Sequence, residues 1–518
     1  MMTTASAGET SLRAGPADAH GDRALIRTLV ALGIGMVLGV GLLAGYYTLP
    51  TEAAATSRTS VLTVLWLNVI LMIGAIVVEV RRRPFSLHLM HLLSLFLFFG
   101  VAGLCQYAIG NYALAGPVAL MAPYNFTAAA VTSMWIISYL LTYEGIGYFS
   151  RGSPSGPVLR FLARPLTPVR ALINLCGGFA MVGYLAALGL AGTFTRAGTE
   201  EAVTDYALRS GAPEYQGPFF IIHFFLLRAY PLVAFMAGLL VYTRFPGSRR
   251  NLLLCFALIA LGAAILVGNN PVATYRMWLV TALFGLLAPY LFARLRTGAA
   301  VVLSTVSGLA ILPSLGAGRH AETVAELVKY YLRLDSPLMY LSRSSDVDAM
   351  GMVTLCLKWL ETHGHRWGLQ TLVVIFCWVP RTLWRSKPIG TGAMVTGDLG
   401  FEFTNLSSPI VAEPLVDFGF AGLIAFAILL GVALSRLDRL YYSADAARDR
   451  AHPRIIDCIY PFWLGCVVFL TRGDLIGAAT HTGAFTFWIL AFGVGVRRPG
   501  RPRDRGLTGN APSHAGGS

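Results

Sequence analysis

Long apolar runs recur along this chain and alternate with short polar segments. Twelve of these runs have about 20 residues each, the length that an α-helix needs to cross the roughly 30 Å hydrocarbon core of a bilayer. The pattern predicts an all-α, polytopic helical membrane protein with about 12 transmembrane helices. The predicted spans are 25–47, 60–80, 87–109, 124–143, 170–192, 218–242, 251–267, 275–293, 299–316, 411–434, 455–471 and 480–496.

A thirteenth apolar run, 367–379, has only 13 residues and would reach about 20 Å as a helix. The basic residues indicate whether it spans, because cytoplasmic loops of membrane proteins retain Arg and Lys. If the run does not span, both termini are cytoplasmic, and the cytoplasmic segments hold 25 of the 40 basic residues. If it spans, the arginine-rich loop 435–454 and the arginine-rich C-terminal tail are both exported. We therefore predict that 367–379 is re-entrant or interfacial.

This topology divides the chain into five parts. They are a disordered cytoplasmic tail (1–24), transmembrane helices 1 to 9 (25–316), a large extracytoplasmic loop (317–410), transmembrane helices 10 to 12 (411–496) and a basic, disordered cytoplasmic tail (497–518). Within the large loop, one-faced apolar patterns at 320–334 and 349–360 predict amphipathic helices beside the re-entrant segment.

Composition and charge exclude several classes of function. The mean hydropathy is +0.63 and only 13% of the residues are charged, so no basic soluble domain is present to bind nucleic acid. The net charge of +14 comes mostly from cytoplasmic arginine and favours contact with anionic membrane lipids. No phosphate-binding loop ends in Gly-Lys-Ser/Thr, so ATP hydrolysis is not expected. No ligand cluster accompanies His363 and His365, and we expect neither a metal nor a cofactor.

The segment Pro380–Pro388 concentrates cationic and aromatic side chains within the predicted large loop. It contains Arg381, Arg385 and Lys387 together with Trp384. Guanidinium groups bind phosphate oxygens through paired donors, an ammonium adds a point charge, and an indole provides a flat face for a sugar ring. These residues suit a diphosphate joined to a sugar. They equally suit an anchor at the lipid headgroups, and the chemistry alone does not separate the two interpretations.

Several ionisable residues lie near those ends of the predicted spans that face the large loop. Because charge within a bilayer is costly, such residues are functional candidates. They are His223, Arg228, Arg276, Glu413, Asp417, Arg472, Asp474 and His481. In contrast, Glu79, Glu144 and Asp457 lie at the predicted cytoplasmic ends of their spans, where we expect them to pair with neighbouring arginines.

Three short motifs follow one another between Asp348 and Gly422. They are Pro380-Arg381-x-x-Trp384-x-x-Lys387-Pro388, Ser407-Ser408-Pro409 with Glu413, and Phe418-Gly419-x-x-Gly422. This segment resembles the Wzy-type oligosaccharide repeat unit polymerases of O-antigen and exopolysaccharide assembly. Weaker similarities are Asn269-Asn270-Pro271 with Arg276, and Arg472-Gly473-Asp474. In the family a proline often follows the tryptophan, whereas this chain has Arg385 at that place.

The resemblance implies a multi-pass glycosyltransferase of the bacterial inner membrane that needs no cofactor. Such polymerases join undecaprenyl-diphosphate-linked oligosaccharides at the outer leaflet, so the implied partners are this lipid-linked substrate, membrane lipids, a flippase and a chain-length regulator. Charge on the departing diphosphate must be stabilised, and a base must accept the proton of the acceptor hydroxyl. We assign the catalytic roles to Arg381 and to Glu413 or Asp348 as the base. The predicted substrate-binding residues are Arg276, Lys387, Trp384, Arg472, Arg385 and His481.

Two other functions remain open from the sequence. An O-antigen ligase-like glycosyltransferase would use the same donor with a different acceptor, which the residues do not reveal. A lipid-linked oligosaccharide flippase or another transporter would be expected to have an internal repeat and polar residues near the membrane midplane, and we find no convincing repeat. The single large loop favours an enzyme, because catalytic residues are commonly carried by loops on a rigid scaffold.

Overall fold

The computed structural model of the 518-residue chain describes the parts that carry most of the predicted helices. It covers residues 58–83, 85–149, 156–187, 226–245, 251–268, 276–294, 343–377, 383–402, 406–443 and 453–488, with the isolated positions 325, 329, 340, 341 and 379. The predicted tails, the spans 25–47 and 299–316, and nearly all of the amphipathic segment 320–334 lie outside the described residues.

The described chain is almost entirely helical. Its helices, numbered in chain order, are α1 (Arg58–Arg82), α2 (Leu87–Ile109, with a π-helical turn at Phe96–Ala102), α3 (Ala122–Phe149), α4 (Pro157–Leu162), α5 (Pro168–Ala187), α6 (Leu227–Arg244), α7 (Leu252–Gly268), α8 (Arg276–Arg294), α9 (Ala349–His363), α10 (Leu369–Ile375), α11 (Thr391–Asp398), α12 (Ala412–Tyr441), α13 (Ile455–Arg472) and α14 (Leu475–Phe487). A two-residue antiparallel hairpin, β1 (Asn111–Tyr112) with β2 (Gly116–Pro117), joins α2 to α3.

Six described helices are long and apolar enough to cross a membrane. They are Thr59–Arg82, Leu87–Ile109, Val118–Ile146, Pro168–Ala187, Ala412–Tyr441 and Ile455–Arg472, and shorter apolar helices lie at Leu252–Leu266 and Met277–Ala288. The predicted class, an all-α helical membrane protein, is therefore confirmed. The total of 12 spans, the membrane and the side on which each terminus lies stay predictions. The last predicted span differs in register, since α14 begins at Leu475 rather than at residue 480.

The helices pack closely where small residues face one another. A Cβ at Gly465 of α13 would lie 2.5 Å from the Cα of Thr281 in α8, so this glycine permits the two backbones to meet. Ion pairs lie at helix ends, as predicted for two of the three carboxylates. Arg82 Nη1 lies 3.1 Å from Glu144 Oε2, and Asp457 pairs with Arg244 at 3.3 Å and with Arg454 at 3.1 Å.

Two features of the predicted large loop differ from a simple surface structure. Helix α9 is buried along its first two turns and packs against α3, so it belongs to the core rather than to an exposed interface. Helix α10, within the predicted re-entrant run, has 7 residues and ends in a turn at Phe376. At about 1.5 Å of rise per residue it is far too short to span a bilayer by itself.

Candidate functional site

The carboxyl groups of Glu413 and Asp474 face each other and hydrogen-bond where three helices meet. Glu413 lies in the first turn of α12 and is 2% exposed. Its Oε2 accepts a hydrogen bond from Thr391 Oγ1 at 2.5 Å, and its Oε1 accepts one from the amide of Leu475 at 3.2 Å. Asp474 is half-buried, so it lies on the more accessible side of the pair.

Local structure explains why the two carboxyl groups meet. Asp474 is the N-cap of α14, and its Oδ1 accepts a hydrogen bond from the amide of Ile476 at 3.1 Å. Gly390, immediately before α11, lies against Asp474 Oδ2, where any Cβ would overlap the carboxylate. The end of α13 is joined to the start of α12 by the amide of Ile410, which donates to the carbonyl oxygen of Thr471 at 3.3 Å.

The environment of the pair favours one proton shared between two carboxyl groups. Burial raises the pKa of Asp474, and the hydrogen bonds from Ile476 and with Glu413 oppose this shift only in part. Two carboxylates in contact cannot both ionise without strong repulsion. The Glu413–Asp474 pair (the carboxyl pair) can therefore hold one proton and one negative charge, and its ionised member can act as a base.

The segment 380–388 (the basic loop) is followed closely by Gly390, which contacts Asp474, because Lys387 is only three residues before Gly390. The Nζ of Lys387 donates to the carbonyl oxygen of Cys377 at 2.7 Å and to that of Val379 at 2.9 Å. The amide of Lys387 donates to the carbonyl oxygen of Trp384 at 3.0 Å. Lys387 thus holds the two ends of the loop together.

The other predicted residues of this loop differ in exposure. Trp384 is half-buried, and Arg385 is exposed. Arg381 lies outside the described residues. Arg276 is the first residue of α8, and its side chain also lies outside the described part of the structure.

Arg472 connects three segments around the site through backbone carbonyl groups. It is 6% exposed, and its guanidinium donates to the carbonyl oxygens of Asp346 at 3.2 Å, Ser407 at 2.9 Å and Ser345 at 2.9 Å. These bonds hold the turn before α9 and the loop before α12 against the end of α13. In this arrangement its donors are directed at the protein rather than at a ligand.

Asp348 is completely buried and serves as the N-cap of α9. Its Oδ1 accepts a hydrogen bond from the amide of Gly351 at 2.7 Å, and its Oδ2 accepts one from the amide of Leu114 at 2.7 Å, at the tip of the hairpin. Burial raises the pKa of Asp348, whereas these amides and the nearby Arg472 oppose the shift. Its contacts are those of a structural cap.

His481 lies on α14 and faces α8. It is 2% exposed, its Nε2 lies 3.0 Å from Thr281 Oγ1 in α8, and its ring contacts Trp278 edge-on with centroids 5.0 Å apart. The structure therefore places His481 in the packing between α8 and α14 and does not bring it to the carboxyl pair.

A break in α12 was not anticipated from the sequence. Gly419 has φ 69° and ψ −154°, a conformation that favours glycine. Before this break, the carbonyl oxygens of Val416 and Asp417 accept hydrogen bonds from the amides of Arg366 at 3.0 Å and Trp367 at 2.8 Å. The Asp417 carboxylate caps α10 by accepting bonds from the amides of Gln370 at 3.1 Å and Thr371 at 2.7 Å.

Trp367 and Arg366 are further candidates that the sequence reasoning did not select. Trp367 has φ 53°, which is strained for a residue with a side chain, and it is 79% exposed. The Nε of Arg366 is buried and has no hydrogen-bond partner among the described residues. An exposed indole and an incompletely bonded guanidinium next to a helix break suit binding of a sugar or an anion. No family model, curated protein or solved structure matches the chain, so the site is interpreted from its own chemistry.

Proposed function

We propose that the chain is a membrane glycosyltransferase that polymerises undecaprenyl-diphosphate-linked oligosaccharide repeat units into a polysaccharide. The observation that carries this proposal is the carboxyl pair that follows the basic loop. Glycosyl transfer from a lipid diphosphate needs a base for the acceptor hydroxyl and cationic groups for the leaving diphosphate. Lys387 lies three residues before Gly390, which lies against Asp474.

In the proposed reaction, the acceptor hydroxyl oxygen attacks the anomeric carbon of the lipid-linked donor. The carbon–oxygen bond to the diphosphate breaks, and the diphosphate leaves with the bonding electron pair. The ionised carboxylate of the carboxyl pair takes the hydroxyl proton, with Asp474 on the accessible side and Glu413 behind it. Arg381 and Lys387 stabilise the charge on the diphosphate, and Trp384 and Trp367 offer faces for the sugar rings.

The test is a turnover assay with purified protein in lipid and a synthetic undecaprenyl-diphosphate oligosaccharide. We expect a ladder of products from the wild type and none from Asp474→Asn. The matched control is Glu402→Gln, which removes a carboxylate from an exposed position near α11 and should leave the ladder unchanged. Ladder formation by Asp474→Asn at the wild-type rate would exclude the proposed base.

A proton-coupled transporter of lipid-linked oligosaccharides is a second candidate function. It is favoured by the break at Gly419, because transporters often place broken helices and buried carboxylates at their substrate sites. A ligase would share the proposed chemistry and differ only in its acceptor. In cells, loss of a polymerase leaves single repeat units on the lipid at the outer face, whereas loss of a transporter leaves them at the inner face.

A further inference from the structure

A second cluster of buried polar side chains lies near the other end of α12 from Glu413. It consists of Glu79 in the last turn of α1, His88 in the first turn of α2 and Glu144 near the end of α3. Each offers one ligand atom, and these three atoms lie within 4.8 Å of one another. Three helices therefore contribute one metal-binding side chain each to a common point.

Glu79 is the member of the cluster with a buried carboxylate oxygen that has no hydrogen bond among the described residues. The residue is 2% exposed, and the oxygen concerned is Oε1. The direct contacts described for the two nearby arginines are with other residues, since Arg82 pairs with Glu144 at 3.1 Å and Arg83 Nη1 donates to the hydroxyl of Tyr143 at 3.0 Å. Glu79 attracts Arg83 electrostatically, as expected, but within the described part of the chain its Oε1 is left buried without a hydrogen bond.

His88 is held in an orientation that leaves one ring nitrogen for a ligand. Its Nδ1 lies 2.7 Å from the hydroxyl of Tyr139, and its ring stacks on Tyr143 with centroids 3.7 Å apart. Histidines that bind metals commonly have their second nitrogen fixed by such a hydrogen bond. Because Nδ1 contacts Tyr139, we assign Nε2 as the ligand atom that His88 would offer.

We propose that Glu79, His88 and Glu144 bind one first-row divalent transition-metal ion, of which Zn²⁺ and Mn²⁺ are examples. One imidazole nitrogen with two carboxylate oxygens suits such ions, whereas Ca²⁺ and Mg²⁺ prefer oxygen ligands alone. Ligand atoms about 2.0 to 2.2 Å from a shared ion lie at most about 4.4 Å apart, so only a small movement closes the site. The Glu144 side chain is 26% exposed and provides a path for the ion.

A third carboxyl group, that of Asp438, lies near the cluster. Asp438 is not a ligand, because its oxygens already accept bonds from the amides of Leu87 and His88 and from two tyrosine hydroxyls. A bound dication would link α1, α2 and α3, far along α12 from the proposed polymerase site and independent of its chemistry.

The test uses the full-length protein in detergent after removal of metal with a chelator. Binding of Co²⁺ is followed by its visible absorption, and binding of Zn²⁺ by calorimetry and elemental analysis. We expect one ion per chain and a rise in the unfolding temperature on adding Zn²⁺. Glu79→Gln and His88→Gln should each weaken binding by about 10-fold or more.

The matched control is His91→Gln, one turn further along α2. His91 is also fully buried, but its two nitrogens are used by Thr471 Oγ1 at 2.8 Å and by Trp135 Nε1 at 3.4 Å. This variant, and His363→Gln combined with His365→Gln, should retain the ion. Absence of stoichiometric binding by the wild type overturns the proposal. Binding of the ion by Glu79→Gln and His88→Gln with the same affinity as the wild type also overturns it. If those two variants do not fold, loss of the ion from Glu144→Gln supports it and retention overturns it.

Discussion

Glu413 and Asp438 are buried carboxyl groups near opposite ends of α12, and their hydrogen bonds differ in kind. Asp438 accepts four bonds, from the amides of Leu87 at 2.9 Å and His88 at 3.1 Å and from the hydroxyls of Tyr143 at 2.7 Å and Tyr460 at 2.5 Å. Glu413 instead faces a second carboxyl group. Asp438 is therefore satisfied as a structural anion, whereas Glu413 belongs to a group that can exchange a proton.

Removing one carboxylate from the carboxyl pair should stop turnover without preventing substrate binding. Asp474→Asn and Glu413→Gln both preserve shape; the first removes the accessible base, and the second removes the carboxyl group with which Asp474 shares its proton. We expect loss of polymer formation with an unchanged affinity for the lipid-linked oligosaccharide, measured on purified variants. Normal turnover in both variants would remove the pair from the mechanism.

The rate should depend on pH through the same pair. Burial raises the pKa of Asp474 above the ordinary aspartate value of about 3.9, so the base is protonated at a higher pH than usual. Because only the ionised pair accepts a proton, activity should fall as pH falls through this raised pKa. A pH–rate profile whose acidic limb lies at or below the ordinary aspartate value would contradict this assignment.

Turnover should depend on whether arginine or lysine occupies positions 381 and 387 of the basic loop. Arg381→Lys should lower turnover roughly 10-fold or more if a charged hydrogen bond of about 1.5 to 3 kcal/mol is lost. Lys387→Arg retains the charge and should be milder. Arg385→Lys, at an exposed position of the same loop, is the control. Unchanged turnover in all three variants would indicate that the loop is only a membrane-surface anchor.

Substitution of Arg472 should lower the stability of the protein rather than act directly on the reaction. Arg472→Ala removes three donors to the carbonyl oxygens of Ser345, Asp346 and Ser407. Hydrogen bonds to charged groups contribute about 1.5 to 3 kcal/mol each, so we expect a loss of at least about 3 kcal/mol and a clear fall in unfolding temperature. Arg385→Ala should leave the unfolding temperature unchanged. An equally stable Arg472→Ala variant that fails only in substrate binding would instead support a direct role at the diphosphate.

The predicted topology can be tested by labelling with a membrane-impermeant thiol reagent. Ser386 in the basic loop and Arg81 at the end of α1 are both exposed. With the exposed Cys176 replaced by serine, Ser386→Cys should react from outside intact cells and Arg81→Cys should react only after permeabilisation. The reverse pattern would contradict the placement of the large loop.

The sequence predicted the helical membrane class and selected Glu413 and Asp474 as costly ionisable residues, but it did not predict their contact, and their catalytic role stays a prediction. Long apolar runs follow directly from bilayer thickness, and a glutamate within such a run stands out because its burial is costly. The contact of Glu413 with Asp474 depends on how distant helices pack, which no local pattern encodes. Lys387 and Arg472 bind backbone carbonyl groups, which every residue carries and which therefore leave no signal. The N-cap role of Asp348 could have been predicted from the sequence, since this residue directly precedes an apolar periodic segment.

The break at Gly419 has a mechanical consequence for the carboxyl pair. Val416 and Asp417, just before the break, are hydrogen-bonded to α10 and its preceding turn, whereas Glu413 is bonded to Thr391 and Leu475. We expect a displacement of α10 to move the first turns of α12, including Glu413, more than the part of α12 that follows Gly419. Any substrate that presses on Trp367 or the adjoining turn would thereby alter the spacing of the two carboxyl groups, which couples occupancy of that surface to the proton affinity of the pair.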